Sequence, residues 1–229
     1  MSAIRNSVRP QRSPFAIQIA GLLLALVGYT SPWIPHETVA LTVTGLELAE
    51  FAKFFPQVQG GVVPITRALF YVPFVAILAL MAFFVSRSAG RFGRWITSLC
   101  AAALVLVTLL PYSVIESARH ALAIGSAFVV DPPYKKQLVL LIVGAILTLL
   151  APLARRFPPQ VQSILLVFLA LVGIIPATWQ FVVLRSLAIT LYDSPLGWGW
   201  GLSVCLLGFG LLLLSGVSSI GSKQSIHES

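Results

Sequence analysis

Three residues near the middle of the chain, Glu116, Arg119 and His120, have the types and the spacing that acid–base chemistry needs. They stand at i, i+3 and i+4, so a helix would place all three on one face. A carboxylate and an imidazole held together could act as a proton relay, serve a lipid headgroup site or catalyse a lipid reaction. The alternative is a solvated helix end with an internal ion pair, because such surface pairs contribute little to stability.

His36 and Glu37 could complete this polar site, since they follow the first apolar segment and would lie on the same side of a membrane. Two histidines and two carboxylates form a possible metal set, but a zinc site normally needs three or four ligands. The sequence has no HExxH motif, no clustered cysteines and no close pair of histidines. We therefore expect no metal, and Cys100 and Cys205 should behave as small hydrophobic residues within apolar segments.

Arg185 is a further charged candidate, because it lies inside a long apolar run. Within the hydrocarbon region of a bilayer an arginine marks a functional site by default. We favour the other interpretation, an interfacial arginine whose partner is Asp193 or Glu50. The chain also lacks GxSxG, GxxxxGK[ST], CxxC and, after a strand, GxGxxG motifs. We expect no cofactor and, apart from the lipid-enzyme alternative, no catalysis.

Membrane helices are the elements that must position these residues. Of the 229 residues 58% are hydrophobic and 10% are charged, whereas about 25% are charged in a soluble domain. Such a chain cannot cover its own surface with polar groups, so we expect membrane lipid as a partner. The net charge of +8 does not indicate nucleic acid, because basic loops set membrane orientation and no basic stripe is interleaved with aromatic residues.

Six apolar segments predict an all-α, polytopic membrane protein with six transmembrane helices. The segments are 15–34, 65–85, 95–113, 138–153, 160–193 and 195–220. The 160–193 run would be roughly 50 Å long as one helix, against about 30 Å of hydrocarbon. It is therefore either a tilted helix that projects beyond the membrane or a span that breaks near Pro176 and Trp179.

Charge distribution predicts the orientation. The membrane domain covers residues 15–221, between a basic tail at 1–14 and a polar tail at 222–229. With the N-terminus inside, nine of the fifteen Lys and Arg residues and one of the seven Asp and Glu residues lie inside. This bias agrees with the positive-inside rule, so we predict that both termini lie in the cytoplasm.

The predicted outer side is larger than the inner side. Helix-like pieces at 45–55, 112–130 and 181–192 predict a small outer helical cap, whereas the inner turns are short. Loops that only connect two helices are usually short, whereas long loops are often functional. We therefore expect the function of the protein to be carried out at its outer face.

Small residues recur along the last segment. Gly197 and Gly201 form a GxxxG motif, and Gly201, Gly208 and Ser215 are spaced by seven residues. Such a stripe lets another helix approach closely. The approaching helix belongs either to the same chain or to a partner.

Two short runs give the chain a generic resemblance to other proteins. Residues 28–33 (GYTSPW) and 44–48 (TGLEL) resemble those of many uncharacterised bacterial membrane proteins, whose first helix ends in Pro-Trp before a Gly-hydrophobic-Asp/Glu-Leu segment. The glycine-rich segment at 197–216 is also similar to theirs. The resemblance implies a bacterial plasma-membrane protein and implies no activity.

Three function hypotheses remain. The first is a non-enzymatic integral membrane subunit that assembles with other membrane proteins or with its own copies, based on the uncharged spans, the glycine stripe and the structured outer face. The second is a transporter or permease for a hydrophobic or lipid-like molecule, which the prolines within the spans favour. The third is an intramembrane lipid-modifying enzyme that uses Glu116 and His120. A polar cavity reaching the middle of the membrane would favour the second over the first.

Overall fold

The structure, a computed structural model, describes residues 14–35, 42–125, 130, 132–192 and 197–224, and most of them lie in helices. Five stretches are long and apolar enough to cross a membrane: Arg67–Arg87, Arg91–Leu109, Tyr134–Arg156, Pro159–Thr190 and Trp200–Ile220. A further apolar helix, Phe15–Tyr29, is shorter. The predicted class, an all-α fold built from apolar helices that suit a multi-pass membrane protein, is confirmed.

The elements follow one another along the chain with short connections. In order they are α1 Pro14–Tyr29, β1 Pro32–Ile34, β2 Val43–Thr44, α2 Leu48–Phe51, α3 Pro56–Gln59, α4 Val72–Ser88, α5 Arg91–Leu109, α6 Tyr112–Ile124, α7 Pro132–Leu150, α8 Pro159–Tyr192 and α9 Trp200–Gln224. Turns of 3-10 helix follow α2 at Ala52–Phe54, precede α4 at Arg67–Tyr71 and follow α7 at Ala151–Arg156.

Helix α4 forms the centre of the bundle. It contacts α1, α5, α7 and α8, and nine of its ten side chains at positions 75–84 are buried. Its sequence carries no polar stripe, because every face meets another helix. On one side α1 and α8 pack against α9, and on the other side α5 packs against α7.

The outward faces of the surrounding helices are apolar as well. Large side chains that a soluble protein would bury are exposed there by 58–80%: Leu99, Val107, Val139, Phe168 and Leu214. These side chains belong to α5, α7, α8 and α9, so the apolar surface runs around the bundle. Lipid chains are the solvent that such a surface requires.

Glycine permits the close contact between α1 and α9. A Cβ atom built on Gly208 would lie 2.3 Å from the backbone nitrogen of Ala25, and one built on Gly28 would lie 2.2 Å from that of Cys205. Backbone atoms cannot rotate aside as side chains can. The two helices therefore approach to a distance that a larger residue at these positions would prevent.

Buried glutamines supply hydrogen bonds between elements that otherwise make apolar contacts. The bonds run from Gln18 Nε2 to Ser215 Oγ (3.1 Å), from Gln137 Nε2 to the Leu109 carbonyl (2.8 Å) and from the Thr66 N–H to Gln180 Oε1 (2.9 Å). All three glutamines are buried. Neutral amides thus connect α1 with α9, α7 with α5, and α8 with the segment that precedes α4.

The long apolar run forms a single helix. Of the two alternatives that the sequence leaves open, the structure has the unbroken one, because α8 continues through Pro176. Residues 181–192 are its last turns and not a separate outer helix. A proline removes one backbone hydrogen bond, and burial of Ala177, Phe181 and Leu184 beyond it favours continuation.

The other two predicted outer pieces are helical with different bounds. The 45–55 piece begins at Leu48 and continues into the 3-10 turn Ala52–Phe54. Within the 112–130 piece, α6 ends at Ile124, because Gly125 takes a positive φ of 67°. Residues 126–129 lie outside the described residues. The prediction of an all-α chain also missed the antiparallel pair β1–β2, in which Pro32 is opposite Thr44.

The glycine contact gives a direct test of the packing. We expect Gly208→Ala to lower the free energy of unfolding by about 1–3 kcal/mol, because the new methyl group meets backbone atoms of α1. Gly210→Ala is the matched control, since nothing lies within 4 Å of a Cβ atom there. Thermal unfolding in detergent measures both, and equal melting temperatures for the two variants would contradict the α1–α9 contact.

Candidate functional site

Glu116, Arg119 and His120 lie together on α6 and line one shallow pocket of about 360 Å³. The ring nitrogen Nδ1 of His120 is 3.0 Å from the backbone carbonyl oxygen of Glu116. Across the described ranges, neither Glu116 nor Arg119 forms an ion pair. The imidazole thus contacts its own helix backbone, and the structure shows no hydrogen bond between the Glu116 carboxylate and the His120 ring.

Helix α6 stands apart from the bundle. Of its described side chains only Val114 is buried, and Leu122 is 89% exposed. Val114, Ala118 and Leu122 line a mostly apolar groove beside the polar face, and Arg119 borders both. Such an amphipathic helix is suited to the surface of a membrane.

Of the remaining predicted polar site residues, the structure describes Arg185. His36, Glu37 and Asp193 lie outside the described residues, so their predicted roles stay predictions. The Arg185 guanidinium carbon lies 5.2 Å from the centre of the Trp198 ring. That ring is 6.0 Å from the ring of Phe181, which places Arg185 beside an aromatic cluster and not in the α6 pocket.

The glycine stripe is occupied within the chain. Gly208 lies against the backbone of α1 at Gly21 and Ala25, and Gly201 lies against Ser31 and Pro32 after that helix. Ser215 accepts the hydrogen bond from Gln18. A Cβ atom on Gly197 would make only ordinary contact, 3.5 Å from Pro35 Cγ. Gly201, Gly208 and Ser215 therefore pack within the chain, whereas Gly197 is exposed.

A second pocket, which the sequence did not predict, is lined by three basic side chains. Its volume is about 510 Å³, and it is lined by Lys53, Arg67 and Lys136 together with Gln59 and Thr66. Lys53 comes from the turn after α2, Arg67 begins the turn before α4, and Lys136 lies near the start of α7. We call it the basic pocket.

An aromatic ring and a carboxylate hold the cations of the basic pocket. Lys53 Nζ and the Arg67 guanidinium carbon lie 5.7 Å and 5.4 Å from the centre of the Tyr134 ring. Glu50 forms an ion pair with Lys53, and its Oε1 is 3.8 Å from Arg67 Nη2. The same oxygen accepts a 3.4 Å hydrogen bond from the Tyr71 hydroxyl.

Segment 42–71, which supplies most of this pocket, is fixed to the ends of the helices by two buried aromatic residues. The Tyr29 hydroxyl donates a 2.9 Å hydrogen bond to the Phe70 carbonyl. Trp33 Nε1 donates to the Gly28 carbonyl at 3.0 Å. Gly45 lies against both rings, because a Cβ atom there would come within 2.9 Å of each. Segment 42–71 is therefore packed onto the bundle.

Sequence reasoning missed the basic pocket because its cations come from distant parts of the chain. Lys53 and Lys136 are separated by α4, α5 and α6, and each cation alone is typical of a loop or an interfacial anchor. One sequence signal was available. Lys53, Arg67 and Lys136 are half of the six basic residues that the predicted topology places outside, against the positive-inside bias.

In comparisons with known proteins, no family model, no curated protein and no solved structure matches the chain. Within the part of the chain that the structure describes, no group of three or more His, Cys, Asp or Glu residues could hold a metal ion. The functional argument therefore depends on the geometry of segment 42–71 and of the basic pocket.

The anchoring of segment 42–71 can be tested at Tyr29. We expect Tyr29→Phe to lower the free energy of unfolding by about 1 kcal/mol, because it removes a buried hydrogen bond while keeping the ring. Tyr112→Phe removes a hydroxyl from a residue that is 75% exposed and should leave stability unchanged. Chemical denaturation in detergent distinguishes them, and a Tyr29→Phe variant as stable as the parent would contradict the anchor.

Proposed function

We propose that the protein is a non-enzymatic integral membrane subunit that assembles with other membrane proteins, or with its own copies, through segment 42–71. The observation that carries this proposal is the anchoring of that segment by Tyr29 and Trp33. A connecting loop needs no such anchor, whereas a recognition surface gains affinity when it is held in one conformation before binding.

The proposed topology has six spans. Helix α1 has 16 residues and is roughly 24 Å long, so it needs support from a longer neighbour to cross. Its close contact with α9, which has 25 residues, supplies that support. The basic residues favour both termini in the cytoplasm of a plasma-membrane protein. Segment 42–71 and α6 would then form an outer cap, together with the end of α8.

Two exposed apolar residues support a protein partner at segment 42–71. Phe54 is 73% exposed and Val62 is 77% exposed, although neighbours such as Phe55 and Leu48 are fully buried. Aromatic side chains are enriched at protein interfaces, and Phe54 presents one on a surface that is held in place. We therefore place the assembly surface around Phe54 and Val62.

The centre of the bundle gives less support to a transporter. A permease for a hydrophobic or lipid-like molecule needs a route between its helices, and the side chains of α4 fill the middle of this bundle. The pockets described above instead lie at segment 42–71 and at α6. This distribution favours binding at one end of the helices over passage between them.

A lipid-modifying enzyme remains the alternative because Glu116 and His120 share one pocket. If the protein works by assembly, the double variant Glu116→Ala with His120→Ala should keep both its stability and its cellular function. Both side chains are exposed, so their removal should change the free energy of unfolding by less than about 0.5 kcal/mol. Loss of function from a stably expressed double variant would instead support the enzyme.

The assembly proposal is tested by purification through a C-terminal tag in a mild detergent, followed by mass measurement of the native complex. We expect a stoichiometric membrane-protein partner or a homo-oligomer. Phe54→Ser should release the partner at least tenfold more readily, because it puts a polar group at the centre of the contact.

Phe92→Ser is the matched control for this experiment. Phe92 is 80% exposed but lies near the start of α5, at the end of the bundle away from segment 42–71. The complex should survive this change. A lone monomer from the unaltered chain, or equal dissociation of the two variants, would contradict the proposal.

A further inference from the structure

The basic pocket holds more positive charge than its surroundings neutralise. Lys53, Arg67 and Lys136 bring three positive charges to one cavity, and among the described residues Glu50 is the carboxylate paired with them. Two positive charges therefore remain. Like charges brought together repel, so the pocket gains stability from any anion that enters it.

The cations are also held in place before an anion arrives. Lys53 and Arg67 both lie over the Tyr134 ring, and Lys136 Nζ is 3.5 Å from Thr66 Oγ1. Thr66 is itself fixed by its backbone hydrogen bond to Gln180. An anion would thus meet positioned donors on the wall of the pocket, which reduces the ordering that binding requires.

Arg67 has donor capacity that its neighbours do not use. Its side chain is only 17% exposed, and its Nε is buried without a hydrogen-bond partner. The contact from Nη2 to Glu50 is 3.8 Å, which is longer than a hydrogen bond. A planar guanidinium binds two oxygen atoms of one phosphate group in parallel, while lysines act as point charges around it.

The level of the pocket along the membrane normal indicates which phosphate groups could reach it. Arg67 and Tyr134 are the first residues of two apolar stretches, Arg67–Arg87 and Tyr134–Arg156. The pocket therefore lies where the hydrocarbon region of a bilayer would begin. Lipid headgroup phosphates occupy this level of a membrane.

From these observations we infer that the basic pocket is a binding site for an anionic phosphate group, carried by a membrane lipid headgroup or by a soluble phosphate compound. The three cations neutralise the phosphate, and the cavity of about 510 Å³ is within the usual size range of ligand sites. This site does not depend on the proposed assembly role, because it requires no protein partner.

Two adjacent lysines on α7 provide a variant that tests the basic pocket and a control for it. Both lysines are exposed, but Lys136 lines the pocket and the adjacent Lys135 does not. Lys136→Gln and Lys135→Gln therefore remove the same charge from neighbouring positions. Arg67→Gln is a third variant, to be interpreted only where its melting temperature matches that of the parent, because Arg67 is largely buried.

The experiment is a titration of the full chain, purified in a mild detergent, with phosphatidylglycerol and with phosphatidylcholine, followed by native mass spectrometry. We expect phosphatidylglycerol to bind more tightly than phosphatidylcholine, which has no net charge. Lys136→Gln should weaken phosphatidylglycerol binding at least fivefold, and Lys135→Gln less than twofold. Added salt should weaken the binding of phosphatidylglycerol to the parent, because salt screens the charges around an open pocket.

Inorganic phosphate distinguishes the two sources of the ligand. If millimolar inorganic phosphate displaces bound phosphatidylglycerol from the parent but not from Lys136→Gln, the site accepts soluble phosphate compounds as well. If it does not displace the lipid, the site is specific for a lipid headgroup. Equal losses for Lys135→Gln and Lys136→Gln would overturn the inference and indicate general attraction to a basic surface. Equal binding of the two lipids would also overturn it, because the excess positive charge of the pocket would then not guide binding.

Discussion

The close contact between α1 and α9 is the constraint on which the rest of the structure depends. Gly28 and Gly208 let the two backbones meet, and this contact positions Tyr29 and Trp33 at the end of the bundle. The Trp33 carbonyl accepts a 2.9 Å hydrogen bond from the Gly199 N–H, so the start of α9 is connected to the same point. Segment 42–71 is built on these two aromatic residues. The position of the basic pocket therefore follows, through several packed contacts, from a glycine contact within the bundle.

Neutral and charged polar groups occupy different parts of the molecule, since neutral side chains lie inside the bundle and charged side chains lie near its ends. Inside the bundle, neutral side chains such as Gln18 and Gln137 make the hydrogen bonds between helices. An amide with a partner can be buried at modest cost, whereas an unpaired charge in hydrocarbon is expensive. The charges of Lys53, Arg67 and Lys136 instead collect where α4 and α7 begin, beside segment 42–71. This division favours a protein whose interior gives stability and whose end gives specificity.

The sequence predicted the helices better than it predicted the site. Apolar runs of sufficient length are a local property, and they correctly indicated the long helices. The sequence did not decide whether α8 breaks at Pro176, because the loss of one backbone hydrogen bond at a proline is a local effect. The contacts that outweigh this loss, such as those of Phe181, are made with other helices. Glu116, Arg119 and His120 were easy to find because one helix turn brings them together. The basic pocket was missed because Lys53 and Lys136 meet only after α4, α5 and α6 have folded between them.

The central claim is that segment 42–71 is a fixed part of the bundle. Hydrogen exchange of the full chain in lipid nanodiscs, followed by mass spectrometry, tests this claim most directly. The amides of α2, whose side chains at Leu48, Ala49 and Phe51 are buried, should exchange at least tenfold more slowly than those of α6, whose side chains are mostly exposed, and Trp33→Ala should remove this protection. Exchange in α2 as fast as in α6, unchanged by Trp33→Ala, would show a loose loop and contradict the account.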